Sequence, residues 1–357
     1  MPKFNKVEAL HYLEHYADVF DSPRNPRNPF ATSVWLHHFV EDAVRSDWTL
    51  YFAETCGDGR SVMPLLIDPE RPSRVRSLAN FYTSLFSPLS STAEDRPRAL
   101  RAIVSSLAKE RPRLSAATFA PLDAACPDVA ALEDSLTGEG WFVRRYFCFG
   151  NWTLPVLGQS FEQYMARRDS RLRNTFERKA KKLLATGSIE LVTRPDGVDQ
   201  AMTAYESIYA KSWKRPEPYP TFARGWARRC AEQGWLRLGL AKVGDVPIAA
   251  QIWFVFDRRA FIYKLVYDDE FAKWSAGTVL TAHMMRHALD VDHVDEVDFL
   301  TGDDPYKSEW MTERRERIGI VACNLRSAEG LLLATKEFAG RATAPLRAKL
   351  RPAVVNV

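Results

Sequence analysis

The chain has 357 residues, 46% of them hydrophobic and 26% charged, with a formal net charge of +4. That length suits two domains, since single cores stop growing near ~250–300 residues. The apolar fraction excludes a disordered chain, 17 Gly with 21 Pro exclude a collagen-like one, and so mild a positive charge does not by itself mark a nucleic-acid binder.

The opening residues, MPKFNKVEALHYLEHYADVF, lack the basic and apolar regions of a secretory signal. The longest apolar stretch, Pro247–Phe256, is broken by Gln251 and is far short of the ~20 residues that span a bilayer. Cys56, Cys126, Cys148, Cys230 and Cys323 are scattered and never in CxxC spacing, as expected of reduced thiols in a cytoplasmic protein.

In chain order, Val7–Phe20 has helical spacing, and Arg24–Pro29, rich in Pro and Asn, is a loop. Thr32 or Ser33 caps a helix to Val44. Trp48–Glu54 and Ser61–Asp68 read as a strand hairpin turning at Gly57-Asp58-Gly59, and Val75–Phe86 as a third strand. Asp95–Glu110 is a helix, Leu114–Ala120 a strand, Pro127–Thr137 a helix and Trp141–Phe149 a strand. The second half repeats the order. Helices at Ser170–Ala185, Asp199–Trp213 and Tyr219–Gln233 precede a hairpin of Leu236–Val243 and Val246–Phe256. Then come strand Ala260–Tyr267, helix Thr278–Leu289, strand Glu296–Leu300, short helix Pro305–Met311 and strand Ile318–Asn324. The shared order predicts a duplicated α/β unit with a boundary near Asn151–Gly158. The expected domains are 1–155 and 156–326, followed by a tail, 327–357.

Three segments carry site-like chemistry. Between the strand ending at Tyr267 and the next helix stands Ser275-Ala276-Gly277-Thr278. A small-residue turn into a helix N-terminus suits an anion, because free N–H groups and the helix dipole favour negative charge there. The same residues also cap ordinary helices. The second segment is Asp298-Phe299-Leu300-Thr301-Gly302-Asp303-Asp304-Pro305-Tyr306-Lys307-Ser308-Glu309-Trp310. Seven carboxylates and no Lys or Arg lie between Asp290 and Asp304, which suits an ammonium group and its deprotonation, or a solvated acidic loop. The third is the helix Arg167–Lys182, with eight cations and two acids, which suits phosphates or simply a solvated face. His283 and His287 stand at i, i+4, but Met284 occupies the Glu position of HExxH, so no metal is expected and His283 is read as a candidate base. Walker, GxGxxG and GxSxG motifs are absent from the sequence.

The run Ser170–Gly187, then Tyr209 with Ser212-Trp213-Lys214, then Ser275-Ala276-Gly277, then Asp298 to Lys307 with Trp310, resembles the CelD/BcsL-like acyltransferases. These belong to the GNAT superfamily and are related to FemAB-type aminoacyl transferases. The resemblance spans about Phe161–Asn324 and implies tandem GNAT-like α/β domains, each a mixed, mainly antiparallel sheet flanked by helices. It implies an acyl-CoA or acyl-phosphopantetheine donor, with a carrier protein as partner in the latter case, and an amine acceptor, and no metal. The Ser275–Thr278 loop would take the pyrophosphate. The matching N-terminal segment Ser87–Glu94 has no glycine, so the first domain is read as degenerate. The superfamily's QxxGxG/A loop is missing. By this resemblance Asp298, Asp303 or His283 takes the proton of the acceptor ammonium. Lys264, or N–H groups of its strand, stabilises the oxyanion. Tyr306 protonates the sulfur, Lys307 neutralises Asp303 or holds an acceptor phosphate, and Trp213 and Trp310 either wall the acceptor pocket or are ordinary core. Acceptors of related families are amino sugars, polysaccharides, amino acids and lipid amines such as sphingoid bases. Apolar residues from Leu331 to Leu350 alternate with Lys336, Arg341, Arg347, Lys349 and Arg351, a pattern that suits the inner face of a membrane or equally a helix docked back on the protein. Aminoacyl-tRNA as donor and a non-catalytic GNAT-fold binding module are the alternatives.

Overall fold

The computed structural model describes residues 3–212 and 214–350, with side chains through residue 339. Trp213 therefore lies outside the described residues, as do the tail's side chains beyond 339. Residues up to Cys148 and from Glu316 onward cluster as one unit, and Phe149–Arg315 as another.

The first unit opens with β1 (Lys3–Phe4), α1 (Lys6–His15), α2 (Ala17–Phe20) and α3 (Ser33–Ala43). The expected helix over 7–20 is thus two pieces parted at Tyr16. Thr32 caps α3, its hydroxyl accepting from Trp35 N at 3.2 Å. Next come β2 (Thr49–Cys56), β3 (Arg60–Ile67), β4 (Arg74–Ser77), β5 (Ser90–Ser91), α4 (Arg96–Lys109), β6 (Ala116–Asp123), α5 (Pro127–Gly138) and the start of β7 (Trp141–Pro155). β2, β3 and β4 form an antiparallel meander, and β6 lies parallel to β4.

The strand expected over 75–86 stops at Ser77. Asn80 accepts from Tyr82 N at 2.9 Å and Asn28 Nδ2 donates to Leu85 O at 3.0 Å, so side-chain amides satisfy this loop's backbone in place of a ladder. Its buried Tyr82 and Phe86 gave the misleading apolar pattern. The loop then packs onto the β2–β3 turn. A Cβ on Gly59 would stand 2.7 Å from Ala93 N, so the backbones meet too closely for a side chain.

The second unit holds the rest of β7, then α6 (Phe161–Ala166), α7 (Ser170–Leu184), β8 (Gly187–Val192), α8 (Val198–Ala210), α9 (Phe222–Glu232), β9 (Leu236–Val243), β10 (Val246–Phe256) and β11 (Arg259–Tyr267). A 3-10 turn (Asp269–Trp274) leads into α10 (Ala276–Asp290), followed by β12 (Glu296–Asp298), α11 (Lys307–Trp310) and the start of β13 (Glu313–Asn324). The sheet runs β8-β9-β10-β11-β12-β7, antiparallel except where β11 meets β12. β8 was not expected from sequence. It is a short strand on which Ile189 and Leu191 are only partly buried, so its alternation is faint.

From residue 316 the chain belongs to the first unit again. β13 pairs antiparallel with β6, and α12 (Ala328–Leu350) follows. The two units share one order: an antiparallel meander, a crossover helix, a parallel strand and an antiparallel closing strand. In the first these are β2-β3-β4, α4, β6 and β13; in the second, β9-β10-β11, α10, β12 and β7. The fold is a tandem of GNAT-like α/β units. The divisions at 148 and 315 fall inside strands β7 and β13.

Candidate active site

The site is built around β11 of the second unit. β11 pairs with β12 only over Arg259–Phe261, while its remaining residues to Tyr267 run past the end of β12. Against β10 it carries one extra residue, Tyr263, where the register shifts between Ile252 and Trp253. Such a bulge bends and twists a strand, which turns β11 away beyond its short parallel pairing.

Past Tyr267 lies a cavity of about 210 Å³, lined by Tyr267, Asp268, Phe271, Ala272 and Ser275–Thr278. Ser275 sits at φ 49° and gives α10 no side-chain cap, so the helix start keeps the donors that attract anions. A Cβ at Gly277 would meet only Tyr267 Cδ1, at 3.6 Å. The fold alone does not demand glycine there. α10 is anchored by the buried Gln251, whose amide donates to Thr281 Oγ1 at 2.8 Å and Gly277 O at 3.2 Å and accepts from Trp253 Nε1 at 2.8 Å. In the sequence Gln251 was only a break in an apolar run; in the fold it fixes the first turns of α10. From the cationic α7, Lys179 Nζ donates to Lys273 O at 2.5 Å and Lys182 lies over the Trp274 ring at 4.5 Å. Two of the basic helix's charges therefore sit on the turn that leads into the cavity. The cavity also contains a buried acid, Asp268, which accepts from Glu270 N at 3.0 Å and stands 3.8 Å from Lys211 Nζ.

A larger cavity, about 600 Å³, is lined by α8, α9 and their connection: Tyr205, Glu206, Tyr209, Ala210, Lys214, Pro216, Glu217, Pro220, Thr221, Ala223 and Arg224. Its walls are apolar and aromatic with ionised groups among them, the usual character of a small-molecule site. Glu217 binds Lys264 Nζ at 2.6 Å, so the lysine predicted to hold an oxyanion is engaged by a carboxylate. Burial, then Lys264, holds the Lys214 ammonium down to about 8. Burial, then Glu217, raises the Tyr209 phenol to about 12, and its hydroxyl donates to Arg215 O at 2.7 Å. Sequence reasoning missed Glu217, Tyr205 and Arg224. The one available signal, for Glu217, was a lone acid between Pro216 and Pro218, just after Trp213-Lys214-Arg215.

The loop after β12 is held by the residues predicted to do chemistry. Asp298 Oδ1 accepts from Asn151 Nδ2 and from Leu300 N, both at 2.6 Å, and Asn151 also donates to Leu300 O at 3.0 Å. Together they fix Leu300 at φ 54°, a conformation costly for a side-chain-bearing residue. Lys307 is buried, and its ammonium donates to Thr301 O at 2.6 Å and Gly302 O at 3.2 Å, with Asp304 at 3.4 Å. Asp303 takes Arg314 at 2.6 Å and Trp152 Nε1 at 2.8 Å, and the guanidinium holds its carboxyl below the usual range. Trp310 is core, and its carbonyl accepts from the Tyr164 hydroxyl at 2.7 Å. Tyr306 stays 43% exposed, edge-on to Phe299 at 5.8 Å. Burial, Asp304 and Tyr267 push its phenol well up, so it remains a proton donor. His283 packs edge-on to Phe176 of α7 at 6.1 Å, and burial lowers its imidazole. Among the described residues no three metal-ligating side chains gather, and no helix is long and apolar enough to cross a membrane.

Residues 170–308 match the acetyltransferase (GNAT) domain family. Among solved structures, FemX aligns with TM-score 0.59 at 11% identity, covering 90% of this chain and 97% of that one. The C-terminal domain of a putative lysylphosphatidylglycerol synthetase from Agrobacterium fabrum aligns with TM-score 0.57 at 11% identity, covering 91% and 95%. L-PGS from Bacillus licheniformis gives 0.56 at 11%, covering 94% and 96%. At such identity these structures share the fold. Comparison with curated proteins gives no match.

Proposed function

With a GNAT-type N-acyltransferase domain over 170–308 as the premise, we propose that the chain moves an acyl group from a thioester to a primary amine by direct attack. The donor in this reading is acyl-CoA or the acyl-phosphopantetheine arm of a carrier protein. The observation that carries it is the pair of neighbouring cavities. Lys211 follows Ala210 of the larger one and reaches Asp268 of the smaller one at 3.8 Å. The start of α10, with Lys182 nearby, suits the pyrophosphate. The stretch of β11 beyond Phe261 offers N–H groups to the thioester carbonyl. Tyr306, near Tyr267 of the smaller cavity, donates a proton to the leaving thiolate. The apolar walls of the larger cavity suit an acceptor that joins an amine to an apolar or sugar body, in keeping with a CelD/BcsL-like role in envelope lipid or polysaccharide synthesis.

Intact mass spectrometry over a panel of acyl-CoAs and amines tests this. The expected result is an amine heavier by the acyl group, with thiol released in equal amount. Thioester binding with no transfer on any amine leaves a GNAT-fold binding module instead. The exposed cations of α7, Arg171, Arg178 and Lys181, favour one second reading, an aminoacyl-tRNA donor. It requires tRNA binding that weakens steeply with salt. For a lipid acceptor at the membrane's inner face, Leu331, Leu332 and Phe338 are 52%, 55% and 67% exposed on α12. Flotation with anionic vesicles that persists after all three are changed to Ser removes that membrane contact.

A further inference from the structure

The carboxylates predicted to meet the acceptor ammonium are committed elsewhere. Asp298 holds Asn151 and Leu300, and Asp303 holds Arg314 and Trp152. Another acid, Asp268, lines the smaller cavity together with the Ser275–Thr278 loop. We propose that Asp268 recognises the primary ammonium of the acceptor, and that Lys211 stands in for that ammonium in the free protein, a role that rests on the acyl-transfer reading above.

The Asp268 side chain is 2% exposed, and its backbone is pinned on both sides. Its N–H donates to Ile248 O at 2.9 Å, and its carbonyl accepts from Phe271 N at 3.0 Å. The carboxylate is therefore held in the cavity wall. One oxygen, Oδ1, caps the 3-10 turn by accepting from Glu270 N at 3.0 Å. Among the described residues, the other oxygen has a single cation, Lys211 Nζ, at 3.8 Å, which is beyond hydrogen-bond reach. A carboxylate oxygen removed from water and left without a donor is costly, and a ligand that brings N–H groups relieves that cost. The same carboxylate lies in one cavity with the α10 start and opposes the phosphates read as binding there. A cation between the two charges turns that repulsion into attraction, and the reaction's second substrate brings one. Lys211 shows the path. It follows Ala210, which lines the larger cavity, and it extends a primary ammonium toward Asp268. Its side chain is 62% exposed, so an incoming ammonium displaces it into solvent at little cost. An acceptor whose body fills the larger cavity thus places its ammonium at Asp268, beside the donor loop. An alcohol of the same shape supplies no charge there and is discriminated against.

Two measurements on the full chain test this. The first needs no turnover: saturation-transfer NMR with hexylammonium and with 1-hexanol as probes. Wild-type protein is expected to prefer the ammonium, and Asp268→Asn, which keeps the oxygen that caps the turn, to lose the preference. Lys211→Met is expected to bind hexylammonium ~2–5-fold more tightly, because its own ammonium no longer competes. Equal binding of the two probes by wild-type protein overturns the proposal. So does unchanged ammonium affinity in Lys211→Met, which keeps the test decisive if Asp268→Asn fails to fold. The second is steady-state kinetics with an amine found active by mass spectrometry. Asp268→Asn is expected to raise the amine KM ~10–100-fold without raising the thioester KM, since loss of a negative charge does not weaken an anionic donor. A rise in both constants marks a merely structural residue and overturns the role, as does an unchanged amine KM. Those two results leave acyl transfer standing. Wild-type protein that prefers hexylammonium through Asp268 but transfers no acyl group removes the acyl-transfer reading and leaves an ammonium site.

Discussion

Asp298 and Tyr306 lie in one sequence motif but do different work. Asp298 is 3% exposed and faces Asn151 and the Leu300 backbone. Asn151→Ala leaves that carboxylate short of a donor and Leu300 short of a clamp. Unfolding in urea is expected to show ~1–3 kcal/mol lost. Tyr306, half exposed, is free of such duty. Its raised phenol keeps the proton at all working pH values, so no falling limb is expected below pH 10. Tyr306→Phe is expected to lower kcat ~10²-fold or more, with Tm unchanged, as measured by turnover and thermal melts. Sequence identified this pair as polar groups at a strand end. It did not separate them, because the separation depends on Asn151, which is 147 positions away from Asp298. Lys214 was legible only as part of a motif. Its electrostatic setting comes from Lys264, Asp304 and Lys307, which are joined to it by the fold alone.

At the scale of elements, hairpins and capped helices were readable because their determinants are local. Asp95 accepts from Arg98 N at 2.9 Å and starts α4 as its side chain dictates. Gly244-Asp245 turns β9 into β10. Elements held by distant partners were not readable, and the loop after β4 is the clear case. The start of α10 was predicted as an anion site from its small residues, and the cavity beside it supports a sharper expectation. Gly277→Ala meets only an ordinary contact at 3.6 Å, so Tm should hold. Isothermal titration should show weaker thioester binding, because the methyl group enters the space beside Tyr267. α12 offers a second expectation. Glu329 accepts from Ser73 Oγ at 2.6 Å and Arg74 Nη2 at 2.6 Å. Those bonds hold its carboxyl down to about 2, against an ordinary 4.5. The folded state therefore binds this proton less readily than the unfolded one. Its stabilisation is complete above pH 4.5 and fades as the pH falls toward 2. Glu329→Gln should cost ~0.5–1 kcal/mol at pH 7 for so exposed a pair, and the difference should vanish near pH 2 in denaturant melts across pH.

For the whole molecule, the repeated order of elements was visible in the sequence, and it is the feature that made two related units legible. Their true extents were not visible, because no local signal tells a strand which sheet it will join. β7 and β13 look like ordinary strands at the ends of their halves. In the fold, β13 pairs with β6 and β7 with β12. A fragment of residues 1–148 therefore keeps β4 beside β6 but lacks β13 on its other side. Expressed alone, it is expected to aggregate or stay unfolded by circular dichroism, whereas a fragment with 316–339 attached through a linker should fold.

That arrangement also bears on synthesis. Ribosomes deliver β6, with its apolar residues Ala117, Phe119 and Leu122, some 200 positions before the strand that covers its open side. Throughout that interval the nascent chain carries an unpaired sheet edge, the hazard that drives edge-to-edge association. The first half is thus made first but finished last, and cellular yield should depend on how quickly the distal strand arrives or on a chaperone that shields the gap meanwhile.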